Sequence, residues 1–221
     1  MPATCVSSVS PQAFSAAMGC GLTRRRWLSL SVPTLWMLTG CDPSPDAVKA
    51  AGFHGIDVTG APYGKGFSLT DMHGHPRTLS DFKGKVVMLY FGFVQCPDVC
   101  PTALSRASQV MQQLGPELGA RVQVIFVTVD PDRDTPELLR EYMAAFDARF
   151  LALYGDAAQT KATADEFKAF YRQVPTGSSY TMDHSAVTYL FDPQGGLRVV
   201  LRHEQTADDY TADIRTLLGG A

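Results

Sequence analysis

Val86-Val-Met-Leu-Tyr-Phe-Gly-Phe93 is an unbroken apolar run bounded by Gly84 and Pro97. A run of that length between breakers predicts a strand buried on both faces. Val122 to Val129 repeats the pattern and predicts a second such strand. Between them Leu104, Ala107, Met111 and Leu114 fall at helical spacing, and Gly115-Pro116 is expected to stop that helix. Thr135-Pro136-Glu137 combines a capping residue, a proline at the first helical position and an acid in the first turn. Leu138, Leu139, Tyr142, Met143 and Phe146 give the helix that follows an apolar face. Further on the pattern predicts a short strand over 150–154, a helix over 158–171, a loop over 173–183 and a strand over 184–191. Asp192-Pro-Gln-Gly-Gly196 turns the chain into a strand over 197–201, and Thr206-Ala-Asp-Asp209 opens a closing helix. Upstream, Phe67 to Leu69 and Arg77 to Leu79 flank the turn-like Asp71-Met-His-Gly-His75, a small opening hairpin.

This order predicts an α/β, thioredoxin-like fold: a mixed central sheet flanked by helices, with an N-terminal β-hairpin extension. Right-handed crossovers make the first two long strands parallel. In that architecture the strand from His184 runs antiparallel to 86–93, so its start lies beside the other's end. His184 is thereby expected to approach Cys96 and Cys100 across more than eighty intervening residues.

Composition narrows the picture. The length of 221 residues suits one sizeable core behind a leader, and the formal charge of −3 gives no basic excess. Nucleic acid is therefore not an expected partner. Of five cysteines, Cys5, Cys20 and Cys41 precede the globular part, leaving Cys96 and Cys100 as its pair. Arg24 to Arg26, the short apolar stretch Trp27 to Leu38 and small residues before Cys41 read as an export signal. Leu38-Thr-Gly-Cys41 resembles a bacterial lipobox, which implies cleavage before Cys41 and a lipid on its sulfur; the alternative is a short uncleaved anchor. Thr23 to Leu28 also resembles a twin-arginine motif and leaves the export route open. Translation is expected to start at Met18, with 1–41 as leader, 42–61 as a Pro-, Ala- and Gly-rich tether and 62–221 as the domain. The domain is accordingly expected on the extracytoplasmic, periplasmic side, held at the membrane.

The chemistry concentrates in Cys96-Pro-Asp-Val-Cys100. A cysteine between a buried strand and a helix start sees the positive end of that helix, which favours its thiolate. Residues four apart on a helical turn stand about 6 Å apart at Cα, within disulfide reach. The same pair can chelate one ion, so metal binding and disulfide formation exclude each other. Two thiolates leave an ion under-coordinated, and His184 is the best third donor, although a capping histidine in Met182-Asp-His-Ser185 is the competing reading. Soft sulfur with one imidazole suits copper, with zinc the main competitor. His73 and His75, and Met182 as an extra soft donor, are expected to be turn and packing residues rather than ligands.

Gly92 to Pro101, Val127 to Pro136 and Tyr180 to Gly195 together resemble the Sco/SenC family, with likeness from about Gly66 to Leu218. The resemblance implies copper, Cu(I) or Cu(II), held by Cys96, Cys100 and His184. It also implies a role in assembling the dinuclear copper centre (CuA) of cytochrome c oxidase, as copper donor, as thiol reductant of the acceptor's cysteines, or both. The partners it implies are the oxidase's copper-bearing subunit and a thiol reductant or another copper chaperone. Val94-Gln95 departs from the Thr-His often found before the first cysteine, at a position that is not a ligand. Asp130 matches an acidic position near the family's metal site and is expected either to shape the partner-facing surface or to serve as a turn residue. The expected function is a membrane-tethered copper chaperone rather than a turnover enzyme. The alternatives are a thiol-disulfide oxidoreductase built on the Cys96/Cys100 dithiol, or a copper or redox sensor.

Overall fold

The structure is a computed structural model that describes residues 52–219. The predicted leader, the Met18 start, the Cys41 lipidation site and residues 42–51 of the tether lie outside the described residues. In chain order the first elements are β1 (Ile56–Asp57), β2 (Ser68–Asp71), β3 (Pro76–Thr78), β4 (Val86–Gly92), α1 (Val99–Gly119), β5 (Val122–Thr128) and α2 (Pro136–Ala144). They are followed by β6 (Leu151–Tyr154), α3 (Ala157–Phe167), β7 (Tyr171–Thr176), β8 (Ser179–His184), β9 (Val187–Phe191), β10 (Leu197–Arg202) and α4 (Ala207–Gly219).

An eight-stranded sheet runs in the order β1-β10-β9-β4-β5-β6-β2-β3, and β7-β8 form a separate two-stranded hairpin. Strand β4 lies parallel to β5 and antiparallel to β9, with Tyr90 opposite Phe126 and Thr188. All seven of its residues are buried, as a strand covered on both faces requires. Its alternation sorts the helices. On one face Tyr90 stacks on Phe126, Phe126 meets Tyr142 of α2 edge to face, and the Tyr210 hydroxyl of α4 reaches Thr188. On the other, Phe91, Tyr189 and Phe191 surround Phe167 of α3. The opening hairpin β2-β3 docks on β6.

The local signals explain most boundaries. Thr135 Oγ1 accepts the Leu138 amide at 3.3 Å behind Pro136, so α2 starts where its cap dictates. Gly115, at φ 71°, breaks α1, but Pro116 then starts one further turn that runs to Gly119.

Several boundaries differ from expectation. The predicted helix over 158–171 ends at Phe167, because Lys168 takes the left-handed conformation (φ 55°) and Ala169 N–H closes on the Ala164 carbonyl. The predicted loop over 173–183 is instead the hairpin β7-β8, turned at Gly177 (φ 61°), with Tyr171 opposite His184. His184 therefore ends a hairpin strand rather than starting the strand beside β4. The far end of the predicted tether also belongs to the domain: the His54 and Gly55 amides donate to the fully buried Asp213 carboxylate at 2.7 and 2.9 Å, and β1 pairs with β10. A buried carboxylate needs such donors, and this segment supplies them. Among the described residues no helix is long and apolar enough to cross a membrane.

Phe167 is fully buried at the centre of one aromatic layer. Phe167→Ala is expected to lower stability by about 3–5 kcal/mol in chemical denaturation; a loss below about 1 kcal/mol would contradict this packing.

Candidate metal centre

Strand β4 ends at Gly92, and the chain then loops through Cys96 to enter α1. Gly92 is required there: a Cβ would stand 2.8 Å from Cys100 Sγ and 2.7 Å from the Phe126 ring. Cys100 is fully buried in the first turn of α1, and Cys96 keeps a small exposed edge. Both are free thiols. Beyond Tyr171, opposite it on β8, His184 brings Nε2 to 3.4 Å from Cys100 Sγ. The donor atoms of Cys96, Cys100 and His184 all lie within 4.8 Å of one another. Three donors about 2.0–2.3 Å from a shared ion at trigonal angles would stand about 3.5–4.0 Å apart. The triangle thus fits an ion after sub-ångström closure.

The histidine's tautomer follows from its neighbours. Nδ1 lies 3.1 Å from the Ser185 carbonyl, which can only accept, so Nδ1 carries a proton and turns Nε2 toward the sulfurs. The ring is held edge-on between Tyr90 and Phe93, with centroids at 6.0 and 5.8 Å.

The two sulfurs are unequal. A hydrogen bond from the Cys100 thiol, above all, holds Cys96 far below the ordinary thiol range; His184 and the amides of Asp98 and Cys100 assist, and burial opposes. The same interaction, with burial, pushes Cys100 up. The metal-free pair is therefore one thiolate solvated by one thiol. Burial first, and then the Cys100 sulfur, pushes the neighbouring Tyr90 phenol up, so it stays neutral.

The family model described as SCO1/SenC matches residues 57–219. The chain belongs to the SCO1/SenC family. It is 39% identical over 132 residues to Protein SCO2, mitochondrial, of Saccharomyces cerevisiae, a match covering 58% of this chain and 44% of that one. The chain thus spans less than half of that relative's length. Among solved structures it is similar to ScoI of Bradyrhizobium japonicum with copper bound, at 36% identity and TM-score 0.65, covering 71% of this chain and 99% of that one. Apo Sco1 of Thermus thermophilus is similar at 37% identity and TM-score 0.68, covering 77% and 99%. The fold is the thioredoxin-like α/β architecture expected from the order of elements.

The remaining candidates separate clearly. His73 and His75 lie exposed in the β2-β3 turn around Asp71, remote in sequence from the dithiol. Met182 packs against the core. Asp130 is 3% exposed, with Oδ1 accepting from the Tyr180 hydroxyl at 2.8 Å and Oδ2 paired with Arg133. Both carboxylate oxygens are engaged internally, and Asp130 ties the β5-α2 loop to the hairpin.

Sequence reading missed Asp134. Its Oδ2 accepts from Thr128 Oγ1 at 2.5 Å and from the Val94 amide at 3.1 Å, bracing the cysteine loop from below. Its adjacency to Asp130 was visible; its partners, up to 40 residues away, were not. Burial pushes Asp134 up from the ordinary 3.8 to about 6. A raised carboxyl pKa means the fold favours the protonated form. That contribution is fully present below about pH 3.8 and is lost as pH rises through about 6. Denaturation midpoints of Asp134→Asn across pH 4 to 7 are expected to lack this decline relative to the wild type; parallel profiles would contradict it.

Proposed function

We propose that this protein is a membrane-tethered, extracytoplasmic copper chaperone that assists assembly of the CuA centre of cytochrome c oxidase. The observation that carries the reading is the convergence of Cys96, Cys100 and His184 donor atoms within 4.8 Å. Two sulfurs and one imidazole are a soft donor set suited to copper, and the similar Bradyrhizobium japonicum structure is described with copper bound. The export signal and the Leu38-Thr-Gly-Cys41 sequence support placement outside the cytoplasm with a lipid on Cys41. The oxidase's copper-bearing subunit is the proposed acceptor, and a thiol reductant or another copper chaperone the proposed supplier.

Copper is cargo here. Cys96 is already a thiolate and Cys100 is held as a thiol, so loading displaces the Cys100 proton. His184 completes the coordination with Nε2, oriented by its bond to the Ser185 carbonyl. Transfer then proceeds by ligand exchange, as acceptor thiolates or imidazoles replace these donors one at a time.

The unequal dithiol favours a second activity of the same site. The Cys96 thiolate attacks an acceptor disulfide, forming a mixed disulfide and releasing one acceptor thiolate. Cys100 then gives up its proton and attacks Cys96 Sγ, releasing the second acceptor thiolate and leaving a Cys96–Cys100 disulfide. Two electrons pass to the acceptor, and the resulting disulfide cannot hold copper.

Titration of the reduced protein with Cu(I) and Cu(II) is expected to show one equivalent bound, lost or strongly weakened in Cys96→Ser, Cys100→Ser and His184→Ala. Unchanged binding in His184→Ala would remove the third donor. Affinity is expected to fall about tenfold per pH unit toward acid, as one displaced proton requires. A flat profile between about pH 5 and 8 would contradict the dithiolate site. A metal-free disulfide-reductase assay with the same variants tests the second activity.

A further inference from the structure

The three donors are not held equally. Cys96 and Cys100 follow directly from the buried β4 and from α1. His184 hangs on the β7-β8 hairpin, which is not part of the main sheet. A lone two-stranded hairpin is marginally stable in water. At its base, the Ser185 amide donates to the Phe170 carbonyl and the Phe170 amide to Ser185 Oγ, both at 2.9 Å. Along its length Tyr171, Tyr180 and Met182 line a cavity of about 170 Å³ together with Asp130 and Thr160 of the domain body, so the hairpin is incompletely packed there. The hairpin's position over the dithiol therefore depends on the few contacts that tie it to the body beside that cavity.

Arg133 supplies several of them. Its Nε pairs with Asp130 Oδ2 at 2.5 Å, fixing the guanidinium to the β5-α2 loop. Its Nη1 donates to the Tyr180 carbonyl on β8 at 2.8 Å and to Gln95 Oε1, next to Cys96, at 3.2 Å. The guanidinium also lies over the Tyr180 ring, 3.7 Å from its centroid, while the Tyr180 hydroxyl returns to Asp130. Its other aromatic neighbour is Phe93, at 6.0 Å, the ring that meets His184 edge-on. Tyr180, Met182 and His184 alternate onto one face of β8. Fixing Tyr180 therefore fixes the register and facing of His184.

We propose that Arg133, anchored by Asp130, is the positioning residue for His184, joining the hairpin, the cysteine loop and the β5-α2 loop through one guanidinium so that the third metal donor stands over the dithiol. The inference rests on the copper-site reading for its consequence, but the latch is a property of the metal-free protein. The guanidinium meets these acceptors from two nitrogens held apart by its plane, Nε toward Asp130 and Nη1 toward Tyr180 and Gln95, and the single nitrogen that Arg133→Lys supplies cannot stand at both places.

The test compares Arg133→Met, which keeps an apolar stem and removes the fork, with the wild type by hydrogen exchange and copper titration. Without metal, the β7-β8 amides are expected to exchange at least about tenfold faster while those of β4 and β5 stay unchanged. Unchanged hairpin exchange overturns the latch whether or not the protein binds copper. With copper, affinity is expected to fall about 10- to 100-fold, and Arg133→Met/His184→Ala is expected to bind as His184→Ala alone. A loss that adds to that of His184→Ala shows a role independent of the histidine and overturns the proposal. Arg133→Lys is expected to behave as Arg133→Met; full rescue by lysine would reduce the role to charge and contradict it. Should Arg133→Met fail to fold, Tyr180→Phe, which deletes only the hydroxyl to Asp130, is expected to speed the same hairpin amides, and unchanged exchange there counts equally against the latch. Wild-type protein that binds no copper sinks the functional reading and leaves the exchange result standing.

Discussion

The site depends on one packing constraint: β4 is buried at every position between a parallel and an antiparallel neighbour. A strand so confined cannot slip, since a one-residue shift would exchange its Tyr90 and Phe91 faces. Its end therefore delivers the cysteine loop to a fixed place, and the absence of a side chain at Gly92 lets the Cys100 sulfur sit against the sheet. Antiparallel β9 returns to the same end, so the residues that lead into it, including His184, arrive beside the two sulfurs. Eighty-four positions of separation in sequence become a 3.4 Å contact.

Electrostatics then make the pair asymmetric. Burial alone would keep both thiols protonated, but the thiol of Cys100 first, and then His184 and amides at the start of α1, stabilise charge on Cys96. One sulfur is ready to bind or attack, and the other holds a proton until needed. His184 presents Nε2 to this arrangement, because the Ser185 carbonyl holds its Nδ1 edge. Reduced, Cys96 and Cys100 can hold a metal ion with His184; oxidised, the two cysteines form a disulfide, so redox state and metal loading share one gate.

Much of this was legible in the chain. The continuous apolar runs announced β4 and β5, Thr135-Pro136 announced α2, and the two cysteines stood where a buried strand meets a helix. Spacing alone could not distinguish a capping from a ligating His184; the resemblance and then the fold were needed. The β7-β8 hairpin was hidden because Phe167, Phe170 and Tyr171 continue a helical spacing, and the left-handed turn at Lys168 carries no glycine to mark it. A two-residue strand such as β1 has no periodicity to read. Arg133 was invisible for another reason: its acceptors on Gln95 and Tyr180 lie 38 and 47 residues away, and only the folded chain brings them to one guanidinium.

The central claim is that two sulfurs of one loop and one imidazole of a distant hairpin share a single copper ion. X-ray absorption spectroscopy of the copper-loaded protein tests it most directly. The first coordination shell is expected to contain two sulfurs and one imidazole nitrogen, with the nitrogen signal lost in His184→Ala. A shell of sulfur alone in the wild-type protein, or an imidazole signal that survives in His184→Ala, would contradict it.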